Sequence, residues 1–147
     1  MATIDIYEIL NKFEELPEKI YKYEAVDAFQ ESWRRVFSSG CAKDKTEVVY
    51  IWRAANTIPR LKGASDIIYI GKTKNTIYSR HYGYAEKEAN EYNKARYDYI
   101  IEHYGTISIY VCHFSEFGKD LTTAEQNLLG SYFNHHLEYP PLNRMGK

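Results

Sequence analysis

Two β-rich segments joined by a short loop constrain the fold of this chain more than any other feature. Residues 47–54 and 66–72 are rich in β-branched and aromatic side chains, and the loop between them contains proline and glycine. This pattern predicts a long antiparallel hairpin. Tyr50 and Tyr69 are equidistant from the middle of the loop, so a regular hairpin would place them opposite each other on one face. The irregular loop does not by itself fix that register.

Helical periodicity surrounds the hairpin. Apolar spacing predicts an amphipathic helix over residues 3–24, bent or divided at Pro17, and a second helix over residues 26–37. After the hairpin, a helix interrupted near Gly83 is expected over residues 75–104, followed by a strand over 106–114 and a last helix over 122–137. The inward stripe of the long helix would comprise Ala85, Ala89, Tyr92, Ala95 and Tyr99.

These elements predict an α/β (α+β) fold with a small three-stranded antiparallel sheet flanked by helices. Residues 1–46 would form a helical extension packed on the core, and residues 47–147 the main domain. The chain has 147 residues, enough for a buried core. It lacks an apolar run of transmembrane length and a basic-then-apolar N-terminal leader, which favours a cytoplasmic protein without a membrane partner. The two cysteines, Cys41 and Cys112, suggest neither a disulfide framework nor a thiolate metal site.

The charge distribution is uneven. The net charge of −1 argues against a broad electrostatic surface for nucleic acid. Residues 48–82, however, contain six Lys and Arg residues against the single acid Asp66, a local excess of +5 that can contact phosphates. The same charges would also serve to solvate a hairpin. The candidate DNA contacts in and near this segment are Arg60, Lys62, Lys74 and His81.

A set of phenols, cations and one carboxylate runs in order through the second part of the chain. Its members are Tyr50, the run Tyr69-Ile70-Gly71-Lys72, Arg80, Tyr84 and Glu125. Such groups suit metal-assisted cleavage of a phosphodiester, which needs an in-line water and neutralisation of charge on the phosphate. Each member alone has a plainer explanation. Tyrosine is common in strands, and Thr122 with Glu125 forms a helix capping box.

The order and spacing of these residues resemble the GIY-YIG nucleases. Val48-Val49-Tyr50 matches the first motif, with valine in place of its glycine, and Tyr69-Ile70-Gly71 matches the second. Arg80, Tyr84, Glu125 and Asn143 fall where the family places its remaining functional residues, although Arg80 lies one residue further from Gly71 than in the simplest members. The resemblance covers residues 47–147. It implies a three-stranded antiparallel sheet flanked by helices, one divalent cation and hydrolysis of DNA.

The resemblance also implies a role for each residue. Glu125 would be the sole carboxylate ligand of one Mg²⁺, for which Mn²⁺ would substitute, and Arg80 would hold the scissile phosphate. Tyr50 would take the proton from the attacking water or align that water. A phenol is a weak base at neutral pH, so Lys72 is the candidate to lower its pKa.

Four further residues complete this centre. Tyr69 would hydrogen-bond the water or the phosphate, and Tyr84, one turn after Arg80, would lie near the nucleophile. His81 is the alternative proton-handling group. Asn143 would buttress the site without taking part in the chemistry.

Two other motifs carry no function. His135 and His136 point to different faces of the last helix, so they do not form an adjacent zinc pair. Lys72 and Thr73 follow a glycine, but the upstream glycine of a P-loop is missing.

The sequence therefore predicts a Mg²⁺-dependent DNA endonuclease, most similar to the compact stand-alone, restriction-type members of the family. Double-stranded DNA would be the partner, and double-strand cleavage would require a homodimer or sequential nicking. The alternatives are a structure-selective nicking or repair nuclease, and a catalytically silent nucleic-acid-binding domain of the same fold.

Overall fold

A computed structural model describes residues 4–143; residues 1–3 and 144–147, the outer ends of the two predicted segments, lie outside the described residues. The strands are β1 (Glu14–Glu15), β2 (Thr46–Pro59), β3 (Ala64–Thr76) and β4 (Ile107–His113). The helices are α1 (Val26–Val36), α2 (Gly40–Asp44), α3 (Ile77–His81), α4 (Ala85–Glu88), α5 (Glu91–Tyr104) and α6 (Leu121–His136). Four 3₁₀ turns span Ile6–Glu8, Leu10–Lys12, Tyr82–Tyr84 and Phe114–Glu116.

The sheet of the described chain is antiparallel and has four strands in the order β1-β4-β2-β3. The mixed α+β fold is confirmed, and the prediction of three strands is wrong. The extra strand, β1, pairs Glu14 with Val111 and Glu15 with Tyr110. Two consecutive glutamates have low β propensity, so only their position beside β4 makes them a strand.

The helix predicted over residues 3–24 is wrong for the described part of that range. This segment consists of 3₁₀ turns, β1 and extended chain, and it lies along β4. The backbone N–H groups of Leu16 and Ile20 donate to the carbonyls of Ile109 and Ile107, each over 2.8 Å. Ile6, Leu16 and Ile20 are buried. The apolar spacing therefore reflects contact with a sheet edge, where backbone pairing replaces helical hydrogen bonds. The next predicted helix, residues 26–37, corresponds to α1.

The register of the hairpin differs from the regular one. Tyr50 pairs with Gly71, and Trp52 pairs with Tyr69. Irregularities on either side of Arg53 shift the pairing by two residues. A shift of two conserves the faces of the strands, so Tyr50 and Tyr69 still lie on one face, with ring centroids 5.9 Å apart.

Both faces of the sheet are buried. One face packs against α1, α4 and α5 in a core that includes Trp33, Tyr50, Trp52 and Tyr97. The other face, with Val49, Ile51 and Ile70, packs against α6. The sequence of β2 carries apolar residues at consecutive positions for this reason.

The predicted stripe of the long helix is correct for its first half only. Ala85 and Ala89 are buried, whereas Tyr92 is 82% and Tyr99 58% exposed. The helix is interrupted at Asn90, whose side chain caps a new helix by accepting a hydrogen bond from the N–H of Asn93. This break resets the helical phase, so α5 buries Tyr97 and Ile100 instead.

Helix α6 begins earlier than expected. Asp120 is the N-cap and accepts from the N–H of Thr123 over 2.7 Å, so the capping box predicted at Thr122 and Glu125 is wrong. Near the other end of α6, His136 is buried and His135 is exposed, as their different faces predicted. Within residues 4–143 no helix is both long and apolar enough to cross a membrane.

Candidate active site

The phenol of Tyr50 lies over the backbone of the edge strand at Gly71. A Cβ atom added to Gly71 would stand 2.6 Å from Cε1, Cζ and Oη of Tyr50. Any side chain at position 71 would therefore collide with a ring that is 1% exposed and cannot swing aside. The glycine of the Tyr69-Ile70-Gly71 run gives the Tyr50 hydroxyl its place above β3.

Tyr50 remains a protonated phenol. Burial raises its pKa well above the usual value, and the proximity of Tyr69 acts in the same direction, while the charge of Arg80 opposes both. The expectation that Lys72 lowers this pKa is wrong. Lys72 pairs with Val49 in the hairpin, on the face opposite to Tyr50.

Lys72 instead forms an ion pair with Glu125. Its Nζ donates to Oε1 of Glu125 over 2.8 Å, and the Glu125 side chain is only 15% exposed. Because α6 is capped by Asp120, Glu125 is free to face β3. The negative charge of Glu125 makes the smallest of the contributions to the raised pKa of Tyr50.

The C-terminal segment pairs with the outer edge of β3. The side-chain amide of Asn143 accepts from the N–H of Ile70 over 2.9 Å and donates to its carbonyl over 2.8 Å, and Leu142 donates to the carbonyl of Ile68. Asn143 is the last residue that the structure describes. At Gly71, the next position of β3, the Tyr50 hydroxyl lies on one face of the strand, and the Lys72–Glu125 pair lies on the other.

Helix α3 brings Arg80 to the face occupied by Tyr50. The helix starts directly after β3, capped by the Thr76 hydroxyl. The Arg80 guanidinium carbon lies 5.5 Å from the centroid of Tyr84, which confirms that the two side chains neighbour each other. Within residues 4–143 Arg80 has no ion-pair partner. A cleft of about 180 Å³ lies between Arg80, Tyr84 and Tyr69.

His81 lies in the aromatic core beside this cleft. Its ring centroid is 5.0 Å from that of Tyr50 and 4.8 Å from that of Phe37. Burial, together with the neighbouring Arg80, lowers the pKa of His81 to about 3, so its imidazole is neutral at physiological pH. Its Nε2 has no hydrogen-bond partner among the described residues. His81 was predicted to contact DNA, but its side chain is only 6% exposed, so little of its surface is accessible to a ligand.

The three predicted basic DNA contacts separate in space. The Arg60 side chain is 12% exposed and binds the Glu138 carboxylate and the carbonyl of Tyr139. Arg60 and Lys62 lie at the turn of the hairpin, roughly 25–30 Å along β3 from Lys72 at 3.3 Å per residue. Lys74, in contrast, is exposed and lies two residues beyond Lys72.

The donor set is compatible with Mg²⁺. No cluster of three or more His, Cys, Asp or Glu side chains occurs in the part of the chain that the structure describes. Mg²⁺ commonly takes one or two carboxylates and fills its other positions with water and phosphate oxygens. Glu125 could supply such a ligand, provided that Lys72 gives up or shares its carboxylate.

The structure adds lining residues that the sequence did not suggest. Trp52, Glu88, Arg96 and Tyr97 also line the cleft. Three of them belong to α4 and α5. The sequence did not predict which side of these helices faces the cleft, because the interruption at Asn90 changes the helical phase. Comparisons of the chain with known protein families, with curated proteins and with solved structures gave no match.

Proposed function

We propose that this protein is a divalent-metal-dependent DNA endonuclease of the GIY-YIG type, a hydrolase that uses Mg²⁺. The observation that carries the proposal is the exposed Arg80 at a cleft that it lines with Tyr69 and Tyr84, beside the buried phenol of Tyr50. Tyr50 supplies a protonated phenol, and Arg80 has no ion-pair partner within residues 4–143. The carboxylate of Glu125, 15% exposed and paired with Lys72, lies across β3 on its other face. These groups bind a phosphate and a hard cation.

Arg80 binds and orients the scissile phosphate. Its planar guanidinium can donate two hydrogen bonds to non-bridging oxygens. Stacking on Tyr84 holds that guanidinium at the rim of the cleft. Charge that develops on the phosphate in the transition state is then stabilised by a donor already in place.

Tyr50 donates rather than accepts a proton. With its pKa raised by burial, the phenol is suited to align the attacking water or to donate to the phosphate. Between the two roles left open by the sequence, this favours alignment over general-base catalysis. Tyr69, on the same face, is placed to support that hydrogen bond.

Glu125 would hold the Mg²⁺. When bound, the metal supplies activation of a water molecule and neutralisation of phosphate charge. Lys72, released from the carboxylate, keeps a positive charge beside the phosphate. One such centre cuts one strand, so a type II restriction activity requires a homodimer or two sequential nicks.

Incubation with supercoiled plasmid tests the proposal. We expect cleavage in Mg²⁺ or Mn²⁺, none in EDTA, and loss of cleavage in Glu125→Gln. Glu116→Gln is the matched control, because Glu116 also pairs with a lysine, Lys12, over 3.0 Å but at an exposed position. It should retain wild-type cleavage.

The products separate the remaining candidates. Linear fragments of fixed size would support restriction, and nicked circles alone would support structure-selective nicking. DNA binding without cleavage in either metal would contradict the nuclease proposal in favour of a silent binding domain. Equal loss of cleavage in both glutamate variants would remove Glu125 from the mechanism.

A further inference from the structure

A second cleft lies along α5 and shares two lining residues with the cleft beside Arg80. The second cleft, of about 300 Å³, is formed by α5 and the C-terminal segment, including Tyr99 and Pro141. Arg96 and Leu142 line both clefts. Together they form one surface feature, here called the aromatic groove, which leads from Tyr69, Arg80 and Tyr84 past Arg96 and Leu142 to Tyr99.

Two aromatic rings that line the groove are exposed to solvent rather than packed in the core. Tyr84 is 42% and Tyr99 58% exposed. The Tyr99 ring stacks on His103, with centroids 4.1 Å apart and planes within 24°. The imidazole Nδ1 also lies 2.9 Å from the Tyr99 carbonyl. This stack presents a flat ring in a fixed position, at a solvent-facing site where burial provides no explanation for it.

Cations alternate with these rings. Arg80 lies beside Tyr84, and Arg96 lies between the two clefts, its Nη2 donating to Asn93 over 2.8 Å. Among residues 4–143, Glu88 is the carboxylate that lines the groove, and it accepts from the Tyr97 hydroxyl over 2.8 Å. Guanidinium groups that alternate with exposed rings suit a chain of phosphates that alternate with bases.

Paired bases cannot use this surface. In a duplex the faces of the bases are stacked on each other, so a ring such as Tyr99 can stack only on a base that has left the helix. A blunt duplex would contact the groove through its backbone alone. The exposed rings therefore point to a ligand with free base faces.

We infer that the aromatic groove binds unpaired nucleotides of the DNA strand next to the phosphate held by Arg80. A base stacks on Tyr99, and its phosphate lies against Arg96. This inference rests on the proposed nuclease function and deepens it. It assigns a single-stranded segment beside the cleavage position, as in a tail, a flap or a branch.

Binding in EDTA tests the inference apart from cleavage. The probes are a fluorescein-labelled blunt duplex, the same duplex with a single-stranded tail, and the tail alone, measured by fluorescence anisotropy. The wild-type protein should bind both tail-bearing probes more tightly than the blunt duplex. Tyr99→Ala should weaken binding of the tailed duplex about tenfold, the effect of losing one stacked base.

Tyr92→Ala is the matched control. Tyr92 belongs to the same helix and is more exposed, at 82%, but it does not line the groove. It should leave all three affinities unchanged. A tail carrying 2-aminopurine should also show a fluorescence change with wild type that Tyr99→Ala abolishes, since stacking on a ring alters that emission.

Each contrary outcome has one meaning. Equal affinity for blunt and tailed duplexes, or equal losses in Tyr99→Ala and Tyr92→Ala, would overturn the inference. The proposed nuclease function would still stand if the protein cleaved plasmid in a metal-dependent reaction. Failure to bind any probe, together with no plasmid cleavage, would overturn both.

Discussion

Both ends of the β2–β3 hairpin have an arginine and a tyrosine nearby, but the two ends differ in how many hydrogen bonds and ion pairs these side chains make. At the turn, Arg60 is committed to Glu138 and to the carbonyl of Tyr139. The hydroxyl of Tyr7 there makes hydrogen bonds of 2.5 Å with both Ser65 and His136. The arginine and the tyrosine at this closed end tie separate segments of the chain together.

At the other end of the hairpin, near Gly71, the arginine is Arg80 and the tyrosine is Tyr50. Arg80 has no ion-pair partner within residues 4–143 and stacks only on Tyr84. Tyr50 there is a buried phenol with a raised pKa. Buried polar atoms without a hydrogen-bond partner occur at both ends of the described hairpin, as Trp52 Nε1 and His81 Nε2 here and as Arg60 Nε at the turn. The two ends therefore differ in their arginines: Arg60 is fixed by a carboxylate and a carbonyl, which stabilises the turn, whereas the charge of Arg80 is available to a ligand.

The sharpest test of this comparison exchanges each arginine for alanine. Arg80→Ala should reduce cleavage roughly a hundredfold or more, because a donor to the phosphate is lost, with a change in unfolding free energy within about 0.5 kcal/mol. Arg60→Ala should lower that free energy by about 1–3 kcal/mol, and cleavage by the folded fraction should persist. Urea unfolding and plasmid cleavage measure the two effects. A loss of cleavage in Arg60→Ala at full folding would contradict the division.

The tyrosines give a second matched pair. Tyr50→Phe keeps the buried ring and removes the aligning hydroxyl, so cleavage should fall roughly a hundredfold. Tyr7→Phe should cost about 1–2 kcal/mol of stability, because the buried partners of its hydroxyl lose a hydrogen bond. Its rate of cleavage should stay near wild type. Equal rates for Tyr50→Phe and wild type would remove Tyr50 from the mechanism.

The pH dependence of stability should reflect His81. Its pKa is about 3 in the folded chain and near the usual 6.5 when unfolded. Below pH 6.5 the unfolded chain therefore binds a proton that the folded chain does not. The stability contributed by neutral His81 is present above pH 6.5 and is lost as the pH falls toward 3, by up to a few kcal/mol at about 1.4 kcal/mol per pH unit.

His81→Phe should flatten this dependence between pH 4 and 6, measured as the slope of Tm against pH. His113→Phe is the control, since His113 is exposed and its ring bonds to the Ser115 hydroxyl rather than to a carboxylate. If both variants keep the wild-type slope, the titration belongs to other groups.

A smaller effect should distinguish two glycines. Gly71→Ala forces a Cβ atom to 2.6 Å from the phenol of Tyr50 and should cost about 1–3 kcal/mol, as overpacked cores do. It should also lower cleavage, since the hydroxyl moves. Gly83→Ala places its Cβ in open space and should change stability by less than about 1 kcal/mol. Thermal unfolding compares them. Equal Tm values for the two variants would mean that the Tyr50 ring moves aside at little energetic cost.

The sequence predicted the elements whose signal is local. Alternation and β-branched residues located β2, β3 and β4, and apolar spacing located α1 and α6. Prediction failed where distant contacts decided the outcome. Residues 4–24 have helical spacing but pair with β4, and the stripe through Tyr92 and Tyr99 failed because the Asn90 cap reset the phase.

The candidate site shows the same division. The spacing of Arg80 and Tyr84 along the chain sufficed to make them neighbours, because both lie within about one helical turn. The partner of Lys72 did not follow from spacing. It depends on where α6 begins, and Asp120, rather than Thr122, supplies the cap.

By itself the sequence determined which residues carry phenol, guanidinium and carboxylate groups and on which strands or helices most of them lie. Only the tertiary structure decided their chemical state. Burial under α1 and α5 keeps Tyr50 protonated and His81 neutral, because a low-dielectric core disfavours the charged form of each. Packing of α6 on β3 places Glu125 beside Lys72, and the side chain of Asn143 pairs with the backbone of Ile70. These properties depend on contacts between residues far apart in the chain, which no local pattern encodes.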